Sequence, residues 1–488
     1  MRYKPKIDAS QEIAMTDFSG GAVNLPSERL PANAFNPLQN WEYNPNDNSL
    51  VTAAGLTAVY TSTQGANLDS LFYSNVLGTI FFTAGGYLYE STLSAQNQIG
   101  ALSGPNPGKY WHFDGKLFVT TGGLIQYYDG ATFTTLPSGT PNADSIIDRD
   151  GRIEVTKAGD DNQYYSAIGA YATLANWTHN TNDASSAFSQ PVGYKDSSST
   201  VAAAALSTDI MVFKSPKRAY RVYGDPSMTN YAIYEASRDV DVANANSICL
   251  VDNNLYIFGS NGFDSLQTVQ AYGAVQKVIP SVGGTWNTFF RQNMDSTCKI
   301  WNVKSRSQVW IRYNNSGNIA LYHYHAGGVF SFRNFESPVI DITENNQIVY
   351  IAIGKKIYKI DENSAQTETK PIVANLAMSK LGSVHDFILE WFKFSFYSLV
   401  SGTGQITLPN NVNGGSLVQS FASSSQSANA YTDTQNAYTD TTEYLVYPED
   451  RVSVQAFCMY RVTGIQPQVM ITSGRFSLRE IKFLLANG

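Results

Sequence analysis

The residues best spaced for chemistry are His323 and His325, two positions apart in Tyr322-His323-Tyr324-His325. On a strand they share a face, and two imidazoles so placed hold a metal if a third ligand arrives from elsewhere. The same tetrapeptide reads equally well as polar strand positions closed by Gly327-Gly328. Paired carboxylates come next, because glycan cleavage needs two of them. Asp160 and Asp161 stand in Gly159-Asp160-Asp161-Asn162, a turn composition in which Asp serves the backbone. Asp239 and Asp241 alternate in Arg238-Asp239-Val240-Asp241-Val242, which predicts a strand edge with both carboxylates toward solvent. Gly104, Gly108 and Lys109 have the composition of a phosphate loop. Their spacing is one residue short, and Tyr110 stands where a Ser or Thr would hold magnesium. Gly402-Thr403-Gly404 lacks the third glycine of a dinucleotide site, and no GxSxG elbow exists. Cys249, Cys298 and Cys458 are odd in number and far apart, which gives neither a disulfide framework nor a zinc knuckle. The expectation is no catalytic, cofactor-binding or metal site, no cofactor, and a protein that is not an enzyme.

Aromatic residues could instead stack on sugars or bases. Strand aromatics are expected in the core, where each buries a large area. Trp177 and Trp286, in loop-like contexts, are the expected surface contacts.

The elements that would position these residues follow from composition. The chain has 488 residues, with 33 Lys and Arg against 40 Asp and Glu, a net charge of −7. Only 15% of residues are charged, below the roughly 25% usual for soluble proteins. With 43% hydrophobic and 13% aromatic residues, disorder is excluded. A pI near 5.3 excludes a basic nucleic-acid binder. Exposed helix faces are normally filled by Lys and Glu, whereas here Asn, Ser, Thr and Gly fill the polar positions and suit strands and turns. The fold class expected is all-β. The N-terminus shows no apolar signal segment, and the most apolar run, Phe387 to Val400, is broken by Glu390 and Lys393. A soluble protein without an integral membrane segment, made in a cytoplasm, is the expectation.

Residues 1–65, with Pro26, Pro31, Pro37 and Pro45, read as an extended N-terminal arm. Short apolar runs separated by Gly85-Gly86, Asp114-Gly115, Gly122-Gly123 and Asp150-Gly151 then predict hairpins, since such pairs supply the positive φ of tight turns. Units open near Leu71, Tyr110, Ile146, Ala202, Ile248, Lys299 and Val339, about 45 residues apart, the period of propeller blades. A β-propeller of six or seven blades over 66–365 is expected, with two sandwiches of meanders as its rival. Residues 366–488 read as a β-sandwich, with Phe392, Phe394 and Phe396 on one strand face. Within it, 410–442 is rich in Ser, Gly, Asn and Gln and carries a near-repeat, Ala430 to Thr434 and Ala437 to Thr441. That composition marks an insertion that is flexible or ordered by a partner.

Phe18-Ser19-Gly20-Gly21, Gln39-Asn40-Trp41-Glu42-Tyr43 and Leu50-Val51-Thr52 to Gly55 resemble the N-terminus of tail proteins of tailed bacteriophages. Ala53-Ala54 stand where that pattern has an arginine. Asp209 to Phe213 with Tyr220 to Gly224, and Val275 to Ile279, resemble the hub or nozzle proteins of short-tailed phages. The resemblance implies a structural virion protein without catalytic residues. Such a protein forms a homo-oligomeric ring, six-fold in that family, below the portal and its adaptor. The ring carries a needle, fibres or spikes and lines the conduit for DNA ejection. An acidic or neutral chain suits passage of DNA without sequence-specific binding. A receptor-binding phage protein that binds or degrades host glycans is the alternative, and a secreted propeller lectin a further one.

Overall fold

The computed structural model describes residues 11–26, 29–31, 33–193, 195–206, 208–227, 231–268, 275–279, 282–378, 380, 387–409, 416–423, 450–462 and 465–487. The chain forms two compact units, one of Ala58–Ala320 with Ser337–Ile360, the other of Met1–Thr57, Leu321–Glu336 and Asp361–Gly488.

The first unit is the β-propeller that the repeat spacing predicts. Its inner strands are β1 (Leu68–Ser74), β2 (Lys109–Phe113), β3 (Ser145–Arg149), β4 (Ser199–Leu206), β5 (Ile248–Val251), β6 (Lys299–Val303) and β7 (Val339–Asn345). All of these except β6 begin a separate four-stranded sheet, giving six such blades. The seventh inner strand, β6, pairs with Gln308–Arg312 and lies between β5 and β7, with Ile300 N–H donating to the Asn246 carbonyl at 3.0 Å. The β7 blade is completed by Gly55–Thr61 from the start of the chain.

Local sequence explains each blade. Asp114 and Gly115 have φ of 51° and 70°, and Asp150 and Gly151 have 51° and 77°. Two consecutive positive φ values are the type I′ geometry that turns a right-twisted hairpin tightly. Alternation then aims one side of each strand at the next blade. Phe81, Leu88, Tyr110, Leu117 and Val119 fill the space between the first two blades. Leu71, Phe82, Tyr350, Ala352 and Ile357 fill the space between the last and the first, which closes the ring. Polar bonds between blades fix their relative positions, as when the Trp111 indole N–H donates to Asp148 at 2.7 Å.

The second unit is a sheet built on β8 (Phe387–Pro409), β9 (Ser416–Ser423), β10 (Asp450–Val462) and β11 (Gln468–Asn487). The antiparallel β8–β11 ladder runs from Phe387–Asn487 to Thr407–Gln468. On its other side β8 pairs first with β10, along Phe387–Ser398, and then with β9, along Gly402–Pro409. Phe392, Phe394 and Phe396 are buried on one face, as their alternation predicts. The C-terminal strands thus form the additional β region expected after the propeller, hydrogen-bonded in one strand order.

Residues 1–65, read as an extended arm, supply strands to this same sheet, including Ala34–Gln39, Trp41–Asn44 and Ser49–Thr52. Phe35, Leu38, Trp41 and Leu50 are buried there, and their burial outweighs the proline-rich spacing. The expected insertion 410–442 contains β9; its near-repeat from Ala430 to Thr441 and the expected strand Glu443 to Tyr447 lie outside the described residues.

Candidate functional site

A cavity of 540 Å³ lies on the propeller axis, where the inner strands begin. Its wall takes Asp69 from β1, Lys109 from β2, Val201 from β4, Lys299 from β6 and Ile340 from β7, with Asp144 and Asn244 from the turns preceding β3 and β5. The propeller makes this site: each inner strand reaches the axis once, so residues distant in sequence converge.

Electrostatics give the cavity its character. Lys299 pairs with Asp341 at 2.9 Å. Asp341 also accepts from the Trp301 indole at 2.6 Å, the Leu71 N–H at 2.8 Å and the Ile342 N–H at 2.9 Å. Lys109 donates to the Ala245 carbonyl. Burial, then the nearby charge of Lys299, pushes the Lys109 ammonium down to about 8, against the pull of Asp144. Arg312, also on the wall, donates to the Val339 carbonyl at 2.5 Å and to the Thr297 carbonyl. Burial pushes the Cys298 thiol up to about 12, so this wall residue stays protonated and is no thiolate nucleophile at neutral pH.

The chemistry singled out by spacing is dispersed. His323 ends its strand and its Nε2 bonds Ser331 Oγ at 2.8 Å, whereas His325 lies in the following 3-10 turn against the Tyr324 ring. The two imidazoles therefore do not share a strand face. Asp160 caps its own turn through the Asn162 N–H at 2.9 Å and accepts from Tyr164 at 2.7 Å. Asp161 instead joins Asp196 on the buried Lys214, at 3.1 and 3.0 Å. Burial raises the Asp196 pKa, but bonds from Tyr220, Ser198 and Lys214 outweigh it and hold the carboxyl well below the usual range. Arg238 to Val242 is a connection after Ala232–Ser237, and no strand edge. There Val240 and Val242 turn into the core while Asp241 accepts the Ser260 N–H at 2.9 Å.

The glycines have packing roles. A Cβ at Gly104 would strike the Thr121 carbonyl, and one at Gly404 would strike the Phe421 ring. Neither expected surface tryptophan is fully exposed: Trp286 is buried, and Trp177 is half-buried with its indole N–H on the Tyr171 carbonyl at 2.8 Å. The Cys458 side chain lies outside the described residues. Sequence reasoning missed the axial cluster; its available signal was a basic residue at the start of both the Lys109 and the Lys299 blades.

A second feature lies in the long sheet. Strand β9, Ser-Leu-Val-Gln-Ser-Phe-Ala-Ser, carries no charge and no proline, and its residues alternate between exposed and half-buried. It ends the strand order of its sheet, so among the described residues its outer edge is unpaired. Among the described residues no helix is long and apolar enough to cross a membrane.

The sequence matches no protein-family model and no curated protein. Among solved structures, BamB from Moraxella catarrhalis is similar at 9% identity, covering 64% of this chain and 90% of that one, with a TM-score of 0.41. The WD40 repeats of RRP9 align at 10% identity over 64% of this chain and 99% of theirs, with a TM-score of 0.40. The computationally designed Ika8 protein aligns at 10% identity over 62% and 98%, with a TM-score of 0.36. From its own strand order, the chain is an all-β protein with a β-propeller and an additional C-terminal β-sheet region.

Proposed function

We propose that this chain is a structural protein of a bacteriophage tail. Copies of it form the nozzle or hub ring of the DNA-ejection conduit, below the portal and adaptor, and retain the genome until ejection. The observation that carries this reading is the outer edge of β9. Folded monomers normally protect sheet edges with charge, proline or a covering segment, and β9 has neither charge nor proline. Such an edge suits strand addition by a neighbouring copy, and a closed ring needs this kind of head-to-tail contact between unlike patches. A charged content of only 15% supports the reading, because few charges need desolvating on assembly. In this role the ring contacts the adaptor and the needle, fibres or spikes, and passes DNA without holding it.

The test is the assembled size of the purified chain, by light scattering and electron microscopy of single particles. A discrete ring is the expected result. A monomer or trimer that binds or cleaves host polysaccharide would replace this reading with that of a receptor-binding protein.

A further inference from the structure

Two cations on the wall of the axial cavity, Lys109 and Arg312, pair with no carboxylate among the described residues, while Lys299 is paired with Asp341. Asp341 already accepts four donors, from Lys299, Trp301, Leu71 and Ile342. Asp144 is engaged by the Asn106 amide at 2.8 Å and the Ala158 N–H at 2.8 Å. Lys109 meets a single acceptor among the described residues, the Ala245 carbonyl, although an ammonium has three protons to donate. It also feels the like charge of Lys299. Two ammonium groups and the Arg312 guanidinium thus border one space, whose 540 Å³ falls within the roughly 300–1,000 Å³ of small-molecule sites.

We propose that the axial cavity binds a small oxyanion, a phosphate or carboxylate group, with Lys109 and Lys299 as its cationic pair and Arg312 at its wall. An oxyanion supplies the acceptors that Lys109 lacks, and its charge offsets the repulsion between the two lysines. Asn246, on the same wall, offers a polar side chain to the rest of the molecule. The site lies within one propeller, so it is independent of ring formation.

The test is equilibrium titration of the full chain at pH 7 with inorganic phosphate and, separately, with malonate, in a zwitterionic buffer. Saturable binding of one anion per chain is expected, and the tighter of the two probes tells which oxyanion the site takes. Lys109→Met is expected to weaken binding by about tenfold or more, the loss of one charge-assisted contact. Lys356→Met, at an exposed position of the same unit, leaves binding unchanged. Affinity falls as pH rises through about 8, where Lys109 gives up its proton in the presence of Lys299, Arg312, Asp69 and Asp144. Wild-type protein provides a readout that needs no variant: phosphate is expected to shield Lys109, and not Lys356, from amine acylation mapped by peptide mass spectrometry. Absence of saturable binding, wild-type affinity in Lys109→Met, or equal acylation of Lys109 with and without phosphate would each overturn the proposal.

Discussion

The propeller and the long C-terminal sheet solve the problem of strand edges in opposite ways. In the propeller each blade faces its neighbours, and side chains such as Asp341 and Trp111 bond across the joints. Strand length is modest, and the polar groups at the joints are spent inside the unit. In the sheet, β8 runs for 23 residues and carries β9 at its far end, with an outer edge unpaired among the described residues. Closure yields a rigid scaffold with an internal cavity. Elongation leaves, among the described residues, an edge without a strand partner.

Breaking the joints of the propeller has the largest expected effect. Phe82→Ala, in the cluster between the last and first blades, is expected to cost about 3–5 kcal/mol, the value for a buried aromatic truncated to Ala. Chemical denaturation measures it, and a cost near zero would show that the blade joint is not closed by packing. Asp341→Ala leaves Lys299 buried without its carboxylate and is expected to cost about 3 kcal/mol, the low end for a broken buried pair. Thermal unfolding reads that loss, and Asp341→Asn should retain part of the stability by keeping an acceptor for Trp301.

A substitution on the open edge should behave differently. Val418→Lys places a charge at an exposed β9 position, where the cost to folding is expected within about 0.5 kcal/mol. Its effect should appear in assembled size, which falls while the unfolding midpoint stays put. An unchanged assembled size would remove β9 from the proposed interface.

The two units also differ in pH response. In the second unit, burial raises the Glu336 pKa, but bonds from Thr367, Thr369 and Lys370 outweigh it and bring it down to about 2. A carboxylate with a depressed folded pKa stabilises fully above its unfolded value of about 4.3, and this contribution fades as pH falls toward 2. Lys109 in the propeller gives a slope of the same sign in an alkaline window. Its folded pKa of about 8 lies below the unfolded value of about 10.4, so its penalty on stability is relieved as pH rises between them. Comparing Glu336→Gln and Lys109→Met with wild type across pH 2–10 checks both slopes. The smallest effect concerns DNA: the isolated chain is expected to bind duplex only weakly at physiological salt, by fluorescence anisotropy. A tight, salt-sensitive complex would contradict a conduit that lets DNA pass.

Local signals made the propeller legible. Asp114-Gly115 and Asp150-Gly151 mark their hairpins because the turn geometry is set by adjacent residues. All seven inner strands lie at the positions where repeated apolar runs begin, from Leu71 to Val339. The second unit was less legible because its defining contacts are remote in sequence. Arg333 reaches Glu42 at 3.4 Å, and the Phe476 N–H donates to Thr52 at 2.9 Å. No periodicity announces such pairs. The axial cluster was hidden for the same reason: Lys109 drew notice only beside Gly104 and Gly108, whereas its neighbour is Lys299, several blades away.

The blade completed by Gly55–Thr61 sets a timetable for synthesis. That strand is made close to 300 residues before its sheet partners around Val339–Asp361. At roughly 5–20 residues per second, the ribosome needs on the order of 15–60 s to supply them. Throughout that interval the early strand has no mate within its own chain, so a growing polypeptide must keep it from strands of neighbouring nascent chains until the last blade arrives.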